Sequence, residues 1–206
     1  MSFQAGFFQR PGRRSVYPNT QETSLKGMRI ICLLFLAATA SGADWKLNPA
    51  TENTVDLFVD KTGILNGKRH WFRFPLLAGS FSENPAKVEL RFEVNALQCF
   101  DTWLNQKDQK TVLLWTLGKE TLDAANHPTV TFVSTAVDGN KITGNLTIRG
   151  VTKPVTVLAK GIGDGKFEGS ATFKMTDFGI KPVKAGLNTI GTKDEMTLQF
   201  KLAGTR

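Results

Sequence analysis

From residue 45 onward the chain alternates apolar and polar positions in short runs, and the runs are separated by turn residues. Val55, Leu57 and Val59 share one parity and stop near Lys61-Thr62-Gly63, and Phe72 and Phe74 follow Lys68-Arg69-His70. After Ser82-Glu83-Asn84-Pro85, Val88, Leu90, Phe92 and Val94 lie on one side of a strand, with Lys87, Glu89, Arg91 and Glu93 on the other. A period of two places every second side chain on one face, so these runs predict half-buried strands. Val130, Phe132, Ser134 and Ala136 continue the pattern. Asp138-Gly139-Asn140 is a hairpin signal, and Ile142, Leu146 and Ile148 follow it with Gly144 among them. Past the turn Arg149-Gly150-Val151-Thr152-Lys153-Pro154 come Val155, Val157 and Ala159, then Phe167, Gly169, Ala171 and Phe173, then Met196, Leu198, Phe200 and Leu202. Between Cys99 and Pro128 the alternation stops. The good helix formers Glu120, Leu122, Ala124 and Ala125 predict one short helix over 118–126, with Thr116 or Gly118 as its cap and Pro128 forbidding continuation. The predicted class is all-β, a barrel of about eight antiparallel strands with one short helical insertion. Closure removes the exposed sheet edges that otherwise invite aggregation.

The chain before residue 44 does not share this pattern. Met28-Arg29 precedes the apolar run from Ile30 to Ala38 and the small residues Thr39 to Ala43. A positive start, a short apolar core and a small-residue zone are the layout of a secretory signal peptide, and the run is too short for a stable membrane span. Cleavage after Ala43 or after Ala40 fits, which predicts a periplasmic or secreted protein. Residues 1–27 are polar, basic and unpatterned, and are read as an over-extended reading frame or a long n-region. The expected organisation is therefore 1–27 as that extension, 28–43 as the signal peptide and 44–206 as the barrel domain.

Composition narrows the chemistry. The chain is 41% hydrophobic and 21% charged, enough to bury a core. Residues 1–43 carry Arg10, Arg13, Arg14, Lys26 and Arg29 against Glu22, so the net charge of +8 falls to +4 on the remainder. Those charges are scattered without interleaved aromatics, which argues against a nucleic-acid partner. Cys32 leaves with the signal, so Cys99 has no partner for an internal disulfide. His70 and His127 are the only histidines, and with no Cys/His cluster no metal site is predicted. No catalytic residue is assigned: Cys99 and His127 lack an orienting third group. Asp177-Phe178-Gly179 has no accompanying phosphate loop, and its predicted role is a turn or cap by Asp177 with Phe178 packed. No cofactor motif is present. The Arg149–Pro154 turn admits two readings, a clamp for an anionic headgroup or a specified hairpin.

The inward parity poses the main question. A packed core fills to crystal-like density. Here Gly144, Ser134, Ala136, Ala159, Gly169 and Ala171 stand among large aromatics, and an eight-stranded barrel can be filled or can hold one small ligand. The residues alone leave both open.

Four segments in order, HPTVTFVSTAV (127–137), ITGNLTIRGVTKPVTV (142–157), TDFGI (176–180) and DEMTLQF (194–200), resemble the YceI-like family. The resemblance extends over roughly 45–202. Three departures are visible: the nearest histidine to the end of the opening core strand is His70, the insertion opens with Asn105-Gln106-Lys107-Asp108, and Met175 precedes Thr176-Asp177-Phe178-Gly179 where relatives often carry a basic residue. The family implies a lipocalin-like fold and binding of polyisoprenoids or other lipids by periplasmic or secreted proteins. It therefore implies a cavity, with a homodimer as one arrangement. The implied function is non-catalytic binding or transport of an apolar chain-like ligand, namely a polyisoprenoid, a quinone tail or a fatty amide. The implied wall is Val55, Leu57, Phe72, Phe74, Leu90, Phe92, Phe132, Ile142, Leu146, Ile148, Val157, Phe173, Leu198 and Phe200, with Trp71, Trp103 and Trp115 shaping the mouth. The alternative is a solid-core interaction or stress-response module acting through its surface, with Trp103, Leu113, Leu114 and Trp115 as its patch.

Overall fold

The computed structural model describes residues 44–49, 53–187 and 189–206. The signal-peptide and extension readings lie outside the described residues. In chain order the elements are β1 (Asp44–Leu47), β2 (Thr54–Gly63), β3 (Arg69–Arg73), β4 (Leu76–Glu83), β5 (Ala86–Glu93), β6 (Gln98–Cys99), α1 (Gln106–Leu117), β7 (Thr129–Asp138), β8 (Lys141–Ile148), β9 (Val151–Gly163), β10 (Lys166–Lys174), a 3-10 turn (Thr176–Phe178), β11 (Lys184–Ala185) and β12 (Ile190–Thr205). Every pairing is antiparallel.

β12 closes the sheet. Along one edge it pairs with β2 through residues 190–201 and with β1 through Gly204 and Thr205. β1 also pairs with β4, so the ring runs β1-β4-β5-β7-β8-β9-β10-β12 and returns to β1. This is a closed barrel of eight antiparallel strands, with β2, β3 and β6 continuing the sheet beyond β12. No helix among the described residues is long and apolar enough to cross a membrane.

Local chemistry accounts for the turns. The β8–β9 hairpin holds Arg149 at φ 52° and Gly150 at φ 73°, the paired positive angles of a tight hairpin turn whose twist matches its strands. Arg149 tolerates that angle because its guanidinium donates to the Gly179 carbonyl at 3.1 Å and the Lys119 carbonyl at 2.8 Å. The turn is thus a tie between three segments. The turn is a specified hairpin, and Arg149 is half-buried and tied to two carbonyls instead of being left free in solvent. His127 packs beneath Gly150, where an added Cβ would come within 2.8 Å of the ring.

Three expectations change. The helix runs Gln106–Leu117 rather than 118–126. Asn105 is its N-cap, accepting from the Asp108 amide at 2.9 Å, and Gly118 ends the helix instead of starting it. Residues 118–126 are turns, with Asp123 at φ 48°. The second change is in β7, where a bulge between Ser134 and Ala136 adds one residue. An added residue reverses the parity beyond it, so Ala136 leaves the cavity face and Val137, itself 36% exposed, takes its place on the lining of the smaller cavity. In the third, the cap at the Thr176–Phe178 turn comes from Asp194, whose carboxylate accepts from the Thr176 amide at 2.9 Å and hydroxyl at 2.7 Å, while Asp177 is exposed. Phe178 is buried edge-on to Phe173 as expected.

Gly144 also acts differently from a gap left for a ligand. It seats the Phe132 ring: a Cβ there would fall 2.5 Å from Phe132 Cζ and 2.7 Å from the Val133 carbonyl oxygen. Gly169 seats Phe200 in the same way, at 2.5 Å. We expect Gly144→Ala to destabilise the barrel by about 1–3 kcal/mol, as overpacking does. Urea unfolding measures it, and an unchanged midpoint would show that the ring moves freely into interior space.

Candidate functional site: two apolar cavities and a buried polar relay

The inward face is not filled by its own side chains. Two cavities lie within the barrel, one of about 480 Å³ and one of about 350 Å³. Both are in the range of small-molecule sites. The larger is bounded by β2, β3, α1 and the segment around β11, and reaches the surface beside Trp115, Lys181, Val183 and Lys184. The smaller reaches the surface at the opposite set of turns, beside Glu83, Lys87, Gly139 and Gly161. Val55, Phe92, Leu146, Phe173 and Leu198 line both and stand between them.

The structure places all of the fourteen expected wall residues on these cavities. Val55, Leu57, Phe72, Phe74, Phe92, Leu146, Ile148, Phe173 and Leu198 line the larger. Leu90, Phe132, Ile142, Val157 and Phe200 line the smaller. Space survives because the aromatic rings lie across glycines and because alanines occupy wall positions: Ala159 and Ala171 both line the smaller cavity. Trp103 and Trp115 line the larger cavity. Trp71 does not. It has the opposite parity to His70 and Phe72 and packs outward against Phe58 and Phe100, with ring centroids at 5.9 and 5.2 Å and the Arg73 guanidinium over it. Arg73 is held there by a two-pronged ion pair with Asp56, at 2.7 and 2.9 Å.

One constellation has no counterpart in the expected site. Lys61, His70 and Asp101 are buried at 7%, 8% and 1% exposure, and the first two line the larger cavity. Asp101 Oδ2 accepts from His70 Nδ1 at 2.5 Å, and Oδ1 accepts from the Trp71 amide at 2.6 Å. With its proton on the nitrogen facing a carboxylate, the ring presents Nε2 as an acceptor. The Lys61 ammonium or amine donates to it at 3.4 Å. Trp103 covers the imidazole at 5.6 Å and is itself fixed by donating to the Arg69 carbonyl at 2.8 Å. Gln109 of α1 donates to the Asp101 carbonyl at 2.9 Å, which ties the helix to the relay. Burial pushes the Lys61 pKa below the ordinary lysine value, and the Asp101 charge opposes the shift in part.

Part of this was visible in the alternation. Lys61 continues the parity of Val55, Leu57 and Val59, and His70 that of Phe72 and Phe74. Asp101 gives no such signal, because it follows a two-residue strand. Cys99 is adjacent to this group, and burial pushes its thiol up to about 11. It is therefore protonated near neutrality and a poor nucleophile. His127 meets Asp123 at 3.9 Å and the Gly150 backbone instead.

Fold and interior together define a class: a small closed β-barrel with an apolar interior suited to ligand binding. The YceI-like domain matches residues 45–203, and the chain belongs to the YceI-like family. A UPF0312 protein of Pseudomonas aeruginosa is 35% identical over 177 residues, covering 77% of this chain and 87% of that protein. Protein YceI of Escherichia coli is 32% identical over the same coverage. Among solved structures, BcnA of Burkholderia cenocepacia superposes with a TM-score of 0.53 at 21% identity, covering 77% of this chain and 99% of that one. That likeness concerns the fold. The family names fit a binding protein.

Proposed function

We propose that the protein is a non-catalytic carrier of one apolar chain-like molecule, such as a polyisoprenoid, a quinone tail or a fatty amide, in the periplasm or outside the cell. The observation that supports this most directly is the pair of apolar cavities sharing Val55, Phe92, Leu146, Phe173 and Leu198, which we read as a waist, with the two open near opposite sets of turns. A flexible chain threaded through the waist would bury methylenes on both sides, each worth about 0.8 kcal/mol. Native mass spectrometry of protein purified from its own host tests the proposal. The expected spectrum shows a lipid of long apolar chain retained by the folded protein, and the same spectrum reads whether it is a monomer or a dimer. Protein that stays ligand-free when loaded with solanesol would sink it.

A second reading draws on α1. The helix buries none of its residues completely, and Leu114 and Trp115 are exposed at 71% and 72%. Those two side chains favour a surface that meets an apolar partner. Replacing Leu114, which lines neither cavity, with serine separates the readings, because a surface role is weakened while chain binding in the barrel is retained.

A further inference from the structure

We propose that Lys61 captures long-chain apolar aldehydes as a reversible imine inside the larger cavity, with His70 carrying the protons and Asp101 positioning His70. This rests on the carrier reading and goes beyond it, since the bound molecule is held covalently at one named nitrogen.

The geometry supplies each requirement. An imine needs an amine that is unprotonated part of the time, a proton acceptor and donor beside it, and restricted water. Lys61 is 7% exposed on the wall of a cavity whose other lining is mostly apolar. Its Nζ lies 3.4 Å from His70 Nε2. The Asp101 contact to Nδ1 holds the ring so that Nε2, not Nδ1, faces the amine. Desolvation moves Lys61 toward its neutral form, the standard route to a nucleophilic lysine. Lys181 and Lys184, which line the same cavity, are exposed at its mouth. There bulk water favours hydrolysis of any imine.

The step balances without an oxidant, reductant or other co-reactant. The Nζ lone pair attacks the carbonyl carbon and the C=O π pair moves to oxygen. His70 Nε2 takes the proton lost from nitrogen and returns it to that oxygen, giving a carbinolamine. His70 then takes the remaining proton of the carbinolamine nitrogen and delivers it to the hydroxyl; the C–O bond breaks, its electron pair leaves with water, and the nitrogen electron pair closes the C=N bond. The products are the imine and one water, and re-entry of water reverses the reaction. An alcohol or hydrocarbon of the same chain would bind without this bond.

The test uses all-trans-retinal as the aldehyde and all-trans-retinol as its alcohol, on the purified barrel domain as it exists in the full chain. Protein is incubated with retinal, reduced with borohydride, and mapped by peptide mass spectrometry. The expected result is one reduced adduct on Lys61, absent from Lys61→Arg, which keeps a cation but cannot form the bond. Formation slows in His70→Gln. An adduct spread over surface lysines, or none on Lys61 while wild-type protein binds retinol, overturns the capture and leaves the carrier reading standing. Failure of wild-type protein to bind either molecule overturns both. Mapping on the wild-type chain keeps the result decisive even if a variant folds poorly.

Discussion

Asp101→Ala lowers the stability of the barrel by about 3–5 kcal/mol, because it leaves buried donors without their acceptor. For a domain of this size that is roughly 10 °C in Tm. Asp101 is 1% exposed, and its two carboxylate oxygens serve His70 Nδ1 and the Trp71 amide. Removing them strands both donors where water does not reach and leaves Lys61 without a counter-charge. Asp60 is the control. It meets Arg69 at 3.3 Å and Lys193 at 3.1 Å, but its side chain is 35% exposed, and surface pairs contribute at most about 1 kcal/mol. Chemical denaturation of the two alanine variants decides the matter, and equal, small losses would show that the relay does not hold the fold.

The same group predicts a pH dependence. The folded pKa of Lys61 lies below its unfolded value. Between those two values the unfolded chain binds more protons, so stability rises with pH. The Asp101 charge raises the Lys61 pKa, so Asp101→Asn lowers it further and widens the window. The stability deficit of Asp101→Asn is therefore largest near neutrality and shrinks as pH rises toward 10.5, the ordinary lysine value. A deficit independent of pH would remove Lys61 from the account.

Val55→Phe reduces affinity for long chains by a factor of about 100 while leaving the fold near its wild-type stability. Val55 is 3% exposed and stands at the waist, paired across the sheet with Phe200. A phenyl ring there enters free volume instead of a filled core, so the usual overpacking penalty of about 1–3 kcal/mol is reduced. It displaces about four methylene equivalents of ligand, roughly 3 kcal/mol, which corresponds to the hundredfold loss. The effect is selective. Solanesol needs both cavities and suffers, whereas geraniol fits within one and does not. Titration of both probes against the two proteins, with thermal unfolding alongside, measures this. Equal losses for both would mean the waist is not on the path.

Some strands could be read from their residues and others could not. β5, β8, β10 and β12 alternate cleanly, and their inward sets match the interior. β4 has no such pattern. Its Gly79, Ser80 and Ser82 blur the polarity and a register shift between Leu76 and Ala78 breaks the period. In β7 the parity held until the bulge at Ser134, where the Ser134 hydroxyl accepts from the Val88 amide at 2.8 Å and anchors the extra residue. Nothing local marks that position. Propensity alone favours a helix over Glu120–Ala125, whereas the helix forms over Gln106–Leu117. The capping geometry of Asn105 and Asp108 and the stop at Gly118 were the stronger signals.

The sequence by itself determined the all-β class, the parity of most of the wall and the family, because those depend on side-chain period and short motifs. It also places Lys61 and His70 on the inward parity, among apolar neighbours. Only the tertiary structure decided that the interior is hollow. Volume depends on how rings such as Phe132 and Phe200 lie across glycines on the neighbouring strand, and pairing register sets that. Only the pairing of β6 with β3, on the sheet beyond β12, brings Asp101 to His70, 31 residues apart, since β6 reaches β3 through the sheet and not along the chain.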